Sequence, residues 1–158
     1  MDTDALRKPN RFILSTVIAN YKKKHMNFRA SFCDPFKKDI IEIGYISANE
    51  IIENFENIPW TEYLAKMKTA KQSEIYYSPS LEIENKDNRN GLSVSALDGG
   101  EWYIFYKRPK LVKRFFGLIE NMDNNYLTDI QGQTENDVRN CLEALIKNDL
   151  KFLEDKIK

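Results

Sequence analysis

Residues 101–110 read EWYIFYKRPK. Five large apolar or aromatic residues stand in a row, Trp102, Tyr103, Ile104, Phe105 and Tyr106, followed by Lys107, Arg108 and Lys110. A strand with one wet face alternates apolar and polar side chains. This stretch does not, so both of its faces call for a neighbour. Burying one large aromatic contributes about 2–3 kcal/mol, and leaving several exposed makes an aggregation-prone patch. One set, Trp102/Ile104/Tyr106 or Tyr103/Phe105, therefore belongs to the core. The other is either covered by helices of the N-terminal half or used in contact, and partial cover is the expectation. Tyrosine and tryptophan are also the residue types that anchor protein interfaces.

Two further strands precede this one. In EIYYSPSLEIEN (74–85), Ile75, Tyr77, Pro79, Leu81 and Ile83 share one parity and Tyr76, Ser78, Ser80, Glu82 and Glu84 the other, which is a one-faced strand. Pro79 has no N–H to donate, which points to an edge strand or a bulge there. NKDNRNG (85–91) is a turn in which Asn90-Gly91 is the strongest hairpin pair. LSVSAL (92–97) alternates again, and DGG (98–100) closes a second turn. Three strands joined by short turns make an antiparallel meander, and YLTDIQG (126–132) is a candidate fourth strand.

The flanks read as helices. Leu14, Val17, Ile18 and Tyr21 have helical spacing over 11–25, and Lys22–His25 suit the C-terminal end of that helix. Residues 1–10 read as a flexible arm. DPFKKDIIEIG (34–44) carries the Asp-Pro start and Gly stop of a short helix, with a strand over 39–46 as the alternative. Ser47 and Glu50 form a capping-box pattern ahead of Ile51, Ile52 and Phe55, and PWTEYLAKMKTA (59–70) reads as another helix. In KRPKLVKRFFG (107–117), Leu111, Val112, Phe115 and Phe116 suit a helical turn ending at Gly117. Thr134, with Asp137 three residues on, starts a long C-terminal helix whose stripe is Val138, Cys141, Leu142, Leu145, Phe152 and Leu153. Asp149 interrupts that stripe, so a kink or helix break near Asn148, or a paired acid, is expected. The fold class is α+β: a three- to four-stranded antiparallel meander (about 74–130), N-terminal helices and a long C-terminal helix, with 1–158 as a single domain.

The chain has 24 Lys+Arg and 24 Asp+Glu, a net charge of zero, where a dedicated nucleic-acid binder carries a basic excess. Two distant cysteines, Cys33 and Cys141, and one histidine, His25, supply neither a disulfide framework nor a metal cluster. Acids accumulate over Glu42–Glu62, opposite in sign to Lys107–Arg114, and internal pairing of the two segments is one expectation. Glycines fall in turns rather than in a phosphate loop, and no serine stands in a nucleophile elbow. No segment reads as a signal or membrane span, which points to a cytoplasmic location. The abundance of Lys, Asn and Ile suggests a bacterial source.

These observations favour a non-catalytic, cofactor-free binding module for a protein partner, an accessory of the immunity or adaptor type. Its candidate residues are Trp102, Tyr103, Phe105, Tyr106, Lys107, Arg108, Lys110 and Arg114 on the aromatic and basic stretch, with Tyr76 and Glu82. A second reading places a small-ligand or hydrolase site on the polar sheet face, among Tyr76, Ser78, Glu82, Glu84, Ser93 and Ser95. A third makes Lys107, Arg108, Lys110, Lys113 and Arg114, with Lys22–Lys24 and Arg29, an anion or nucleic-acid site. Nucleic acid is disfavoured because the aromatic strand lacks the internal glycine of the ribonucleoprotein motif.

Overall fold

The computed structural model describes residues 27–114 and 119–158. The expected helix over 11–25, the arm 1–10 and His25 lie outside those residues. One open sheet organises the rest, with strand order β2-β1-β3-β4-β5-β6 and every pairing antiparallel. The strands are β1 (Phe28–Cys33), β2 (Ile41–Ile46), β3 (Ser80–Asn85), β4 (Gly91–Ala96), β5 (Trp102–Arg114) and β6 (Ile119–Gln133). The helices are α1 (Ala48–Asn57), α2 (Trp60–Thr69), α3 (Glu135–Lys147) and α4 (Leu150–Lys156).

The meander of β3, β4 and β5 lies at the centre of this sheet. β5 resolves its double-sided sequence by sending Trp102, Ile104 and Tyr106 to the core. Val94 stands opposite Ile104, and Leu81 opposite Val94. Phe28, Ala30, Leu81, Ile83, Leu92, Val94, Ile104 and Tyr106 join Ile51, Phe55, Val138, Leu142, Leu145, Leu153 and Ile157 in one cluster. The helices thus cover one face of the sheet. Tyr106 is fully buried, and its hydroxyl donates to Asn90 Oδ1 at 2.8 Å. Burial pushes its pKa up to about 12.

Several expectations are corrected. Among the described residues the sheet has six strands, not three or four. β1 comes from FRASFC, where Phe28, Ala30 and Phe32 alternate with Arg29 and Ser31. Its pairing with β3 makes β3 an interior strand instead of an edge. β3 begins only after Pro79, and Tyr76 and Tyr77 leave the sheet: Tyr76 N donates to Pro35 O at 2.8 Å and the Tyr77 hydroxyl to Lys38 O at 2.7 Å. The Asp34-Pro35 signal makes one turn, with Phe36 N donating to Asp34 Oδ1 at 3.0 Å. The β-branched run after it then enters β2, with Gly44 at φ 101° beside a bulge in the β1–β2 pairing. In the β3–β4 connection Arg89, not Asn90, takes the left-handed conformation, at φ 61°. Gly91 is needed for a different reason: a Cβ there would lie 2.8 Å from Ile83 O.

The stretch 107–114 is strand and not a helical turn. β5 continues to Arg114 and pairs with β6 beyond Lys107, which lies opposite Gly91, the first residue of β4. The pairing skips a residue between Arg108 and Lys110, where Pro109 has no N–H to contribute. The long C-terminal helix is two helices. Asn148, at φ 57°, ends α3, and Asp149 caps α4 by accepting from Phe152 N at 3.1 Å. Leu153 is buried as the stripe requires, but Phe152 is exposed.

The capping signals hold. Glu50 accepts from Ser47 N at 2.7 Å, and Asp137 from Thr134 N at 3.0 Å. Asp137 also accepts from Lys156 Nζ at 2.7 Å, tying α3 to α4. That bond, followed by those from Thr134, holds the Asp137 carboxyl well below the usual carboxylate range. A depressed folded pKa stabilises the protein fully above the unfolded value near ~4, and the contribution fades as pH falls toward the folded value. Asp137→Asn is expected to cost about 1 kcal/mol at neutral pH. The gap from the unmodified protein should narrow below pH ~4, as read by urea denaturation at several pH values.

Candidate functional site

The other face of the sheet carries side chains in rows fixed by the strand register. One row runs Tyr45, Arg29, Glu84, Gly91, Lys107, Leu127. The next runs Glu42, Ser31, Glu82, Ser93, Phe105, Asp129. A third carries Cys33, Ser80, Ser95 and Tyr103. The first two rows line a groove of about 450 Å³, and no residue of α1–α4 takes part in it.

Tyr103 and Phe105 form the apolar centre of this face. Their ring centroids are 4.2 Å apart with planes tilted by 42°, and both are half-buried. The Tyr103 hydroxyl donates to Asp129 Oδ2 at 2.7 Å, and Leu127 lies exposed on the neighbouring strand. Charged groups frame them. Glu84 takes a close ion pair from Lys107 and a second from Lys86 at 3.6 Å. Arg29 Nη2 donates to Glu42 Oε1 at 2.7 Å, and the Ser31 hydroxyl to Glu82 Oε2 at 3.4 Å. Burial pushes the Glu84 carboxyl upward, but the hydrogen bond and charge of Lys107, with Lys86, outweigh it and leave its pKa below the usual value. Glu84 is therefore held ionised. A general acid needs the opposite perturbation.

Of the residues singled out in the sequence, Tyr103, Phe105, Lys107, Glu82, Glu84, Ser93 and Ser95 meet on this face. Tyr76 and Ser78 lie in the loop before β3, where Lys38 Nζ stands 5.7 Å from the Tyr76 ring centroid. Trp102 and Tyr106 point to the core. Trp102 also borders a second groove of about 480 Å³ beside α2, packing edge-to-face on Trp60 with centroids 5.1 Å apart.

Arg108 is buried, at 3% exposure. It grips Glu154 of α4 through Nε and through Nη2 at 2.9 Å, and donates from Nη1 to Thr128 Oγ1 at 2.8 Å. Its guanidinium lies over the rings of Tyr106 and Tyr126, 4.5 and 4.9 Å from their centroids. Lys110 reaches Glu154 at 3.7 Å, and Lys113 reaches Glu120 at 3.4 Å. Arg114 ends β5 opposite Ile119. The basic stretch thus pairs with Glu84, Glu120 and Glu154 rather than with the acidic segment 42–62. From that segment, Glu42 instead meets Arg29, and Glu56 makes a close ion pair with Arg139. An anion binding at 107–113 has to break these pairs.

The sequence reading did not place Arg29, Ser31 and Glu42 on this face. The alternation of 28–32 is the signal that reaches the first two. Cys33 and Cys141 are buried free thiols; burial raises both, Cys141 to about 11, which leaves neither activated as a nucleophile. Among the described residues, no three His, Cys, Asp or Glu side chains are grouped to hold a metal ion, and no helix is long and apolar enough to cross a membrane. Comparison with protein-family models, with curated proteins and with solved structures finds no match.

Proposed function

We propose that this chain is a non-catalytic binding module that receives a segment of a protein partner on the open face of its sheet, as an accessory of the immunity or adaptor type. The Tyr103–Phe105 pair carries this reading. It is a half-buried aromatic pair on a mostly polar face, and no residue of α1–α4 lines the groove that Phe105 borders. Aromatic anchors inside a polar rim are the usual make-up of an interface centre. The frame of Arg29, Glu42, Glu84 and Lys107 supplies charges of both signs that orient a partner. Against hydrolysis stands the ionised, paired state of Glu84; against an anion site stand the internal pairs of Lys107, Arg108, Lys110 and Lys113.

A small-molecule ligand is the second reading, favoured by the groove volume of about 450 Å³, which falls in the usual range for such sites. The test is affinity purification of the full chain from its native cells beside Phe105→Ala and Tyr103→Ala. The expected result is a protein retained by the unmodified chain and reduced at least ~10-fold in each variant, with thermal midpoints nearly unchanged. Equal retention by all three overturns the reading. A retained small molecule, lost with Phe105→Ala and accompanied by no protein, transfers the site to the second reading.

A further inference from the structure

The groove beside α2 takes no part in the reading of the open face. We infer that it is a second binding site, for a small organic cation: an ammonium or guanidinium group carried on an apolar stem of a few carbons.

Three observations carry the inference. The first is an under-packed helix. α2 has ten residues, and none of its side chains is fully buried. A helix that short depends on packing along one side rather than on propensity. Its first residue is anchored: the Trp60 ring lies 5.1 Å from that of Trp102 and 5.6 Å from that of Phe55, centroid to centroid. Trp60 Nε1 also donates to Phe55 O at 2.9 Å. Beyond that anchor, Thr61, Leu64, Ala65 and Lys68 share one side of the helix by their spacing, and all four line the groove. Across from them stand the β4–β5 loop, Leu97 to Glu101, and the start of β5. An occupant of the groove completes the packing of α2.

The second observation is the chemistry of the wall. The groove holds about 480 Å³, within the usual range for small-molecule sites. Trp60 and Trp102 supply its aromatic surface, and Leu64 and Leu97 add aliphatic surface on which an apolar stem can pack. Of the aromatic side chains, tryptophan attracts cations most strongly.

The third is charge. Asp98, Glu101 and Glu135 line the groove against a single ammonium, that of Lys68. Lys68 pairs with Asp98 at 3.1 Å, and Arg139 Nη2 with Glu135 at 2.8 Å. Among the described residues, the exposed Glu101 carboxylate meets neither a cation nor a hydrogen-bond donor. The N-terminal ends of α2 and α3 also border the groove, and a helix N-terminus favours an anion. Each such end is equivalent to only about half an elementary charge. That of α2 already has Glu62 in its first turn, and that of α3 is capped by Thr134 and Asp137. The full charges of the carboxylates prevail, and the wall as a whole attracts a cation.

The chain has two tryptophans, and both border this groove, so the intrinsic fluorescence of the full chain reads its occupancy without any protein partner. Titration with n-butylguanidinium is expected to give a saturable change with a Kd of ~1 mM or tighter. The neutral and anionic analogues, n-butanol and butyrate, should bind at least ~10-fold more weakly. Glu101→Gln should weaken n-butylguanidinium ~5-fold. Ala65→Phe should abolish binding by filling the groove. Both positions are exposed, so the thermal midpoints of the two variants stay near that of the unmodified chain. No saturable change by ~20 mM n-butylguanidinium overturns the inference. So does equally tight binding of n-butanol or butyrate, and so does an unchanged affinity in either variant.

Discussion

Ile104→Asp is expected to unfold this protein, whereas Phe105→Asp, one residue along the same strand, leaves it folded. Ile104 is fully buried between Val94 and Ile130 on the helix-covered face. A carboxylate there has no partner in reach and displaces well-packed methyl groups, a loss of about 4 kcal/mol or more. A domain of this size holds only about 5–15 kcal/mol in total. Phe105 faces the open groove, where water reaches a charge, and its loss is expected to cost about 1 kcal/mol. Urea denaturation followed by far-ultraviolet circular dichroism separates the two. Similar midpoints for both variants would mean that β5 does not divide its side chains between a filled and an open face.

Removing the carboxylate of Glu154 is the second large effect. Arg108 is almost completely enclosed, and among the described residues Glu154, on α4, is the acidic group it pairs with. Breaking a buried ion pair from one side typically costs about 3–5 kcal/mol, because a charge stays behind without compensation. Glu154 is 40% exposed, so solvent partly replaces it, and Glu154→Ala is expected near the low end, about 2–3 kcal/mol. Replacing both members, Arg108→Met with Glu154→Ala, should recover much of that loss, since the methionine fills the slot between Tyr106 and Tyr126 without a charge. A double variant less stable than Glu154→Ala alone would show that the guanidinium stabilises the fold through its rings and Thr128 rather than through the carboxylate. In either case the pair attaches α4 to β5, so Arg108 shapes the fold before it meets any partner.

The parts of the fold legible in the sequence are those written in local chemistry. Alternation in 80–85 and 92–96, the Ser47–Glu50 and Thr134–Asp137 caps, and the helical stripe from Val138 to Leu145 all depend on residues within a few positions of one another. The helix break at Asn148 was partly legible for the same reason: Asp149 in an apolar stripe pointed to a kink, a break or a paired acid, and the break is what forms. What escaped was decided at long range. FRASFC is short, and its Arg, Ser and Ala have weak strand preference; it becomes β1 because β3 offers a partner edge across 50 residues of chain. The Asp34-Pro35 start signal made 34–44 look helical, yet it closes a single turn and the β-branched residues beyond it pair with β1. Lys107–Arg114, with Pro109 inside it, lacks any strand signature of its own. It is strand because β6 pairs with it on one side, on both sides of the irregularity at Pro109. The open face was half legible: parity placed Glu82, Glu84, Ser93 and the choice between two ring sets on it, but not Arg29 and Glu42, which arrive with β1 and β2.

The account turns on the open face as the place of recognition. Amide chemical shifts of the isotope-labelled full chain, recorded as the protein retained by it is added, test this directly. The account predicts perturbations concentrated in residues 29–33, 80–84, 91–95, 103–107 and 127–129. Perturbations concentrated on α1–α4, or along 108–114, would contradict it.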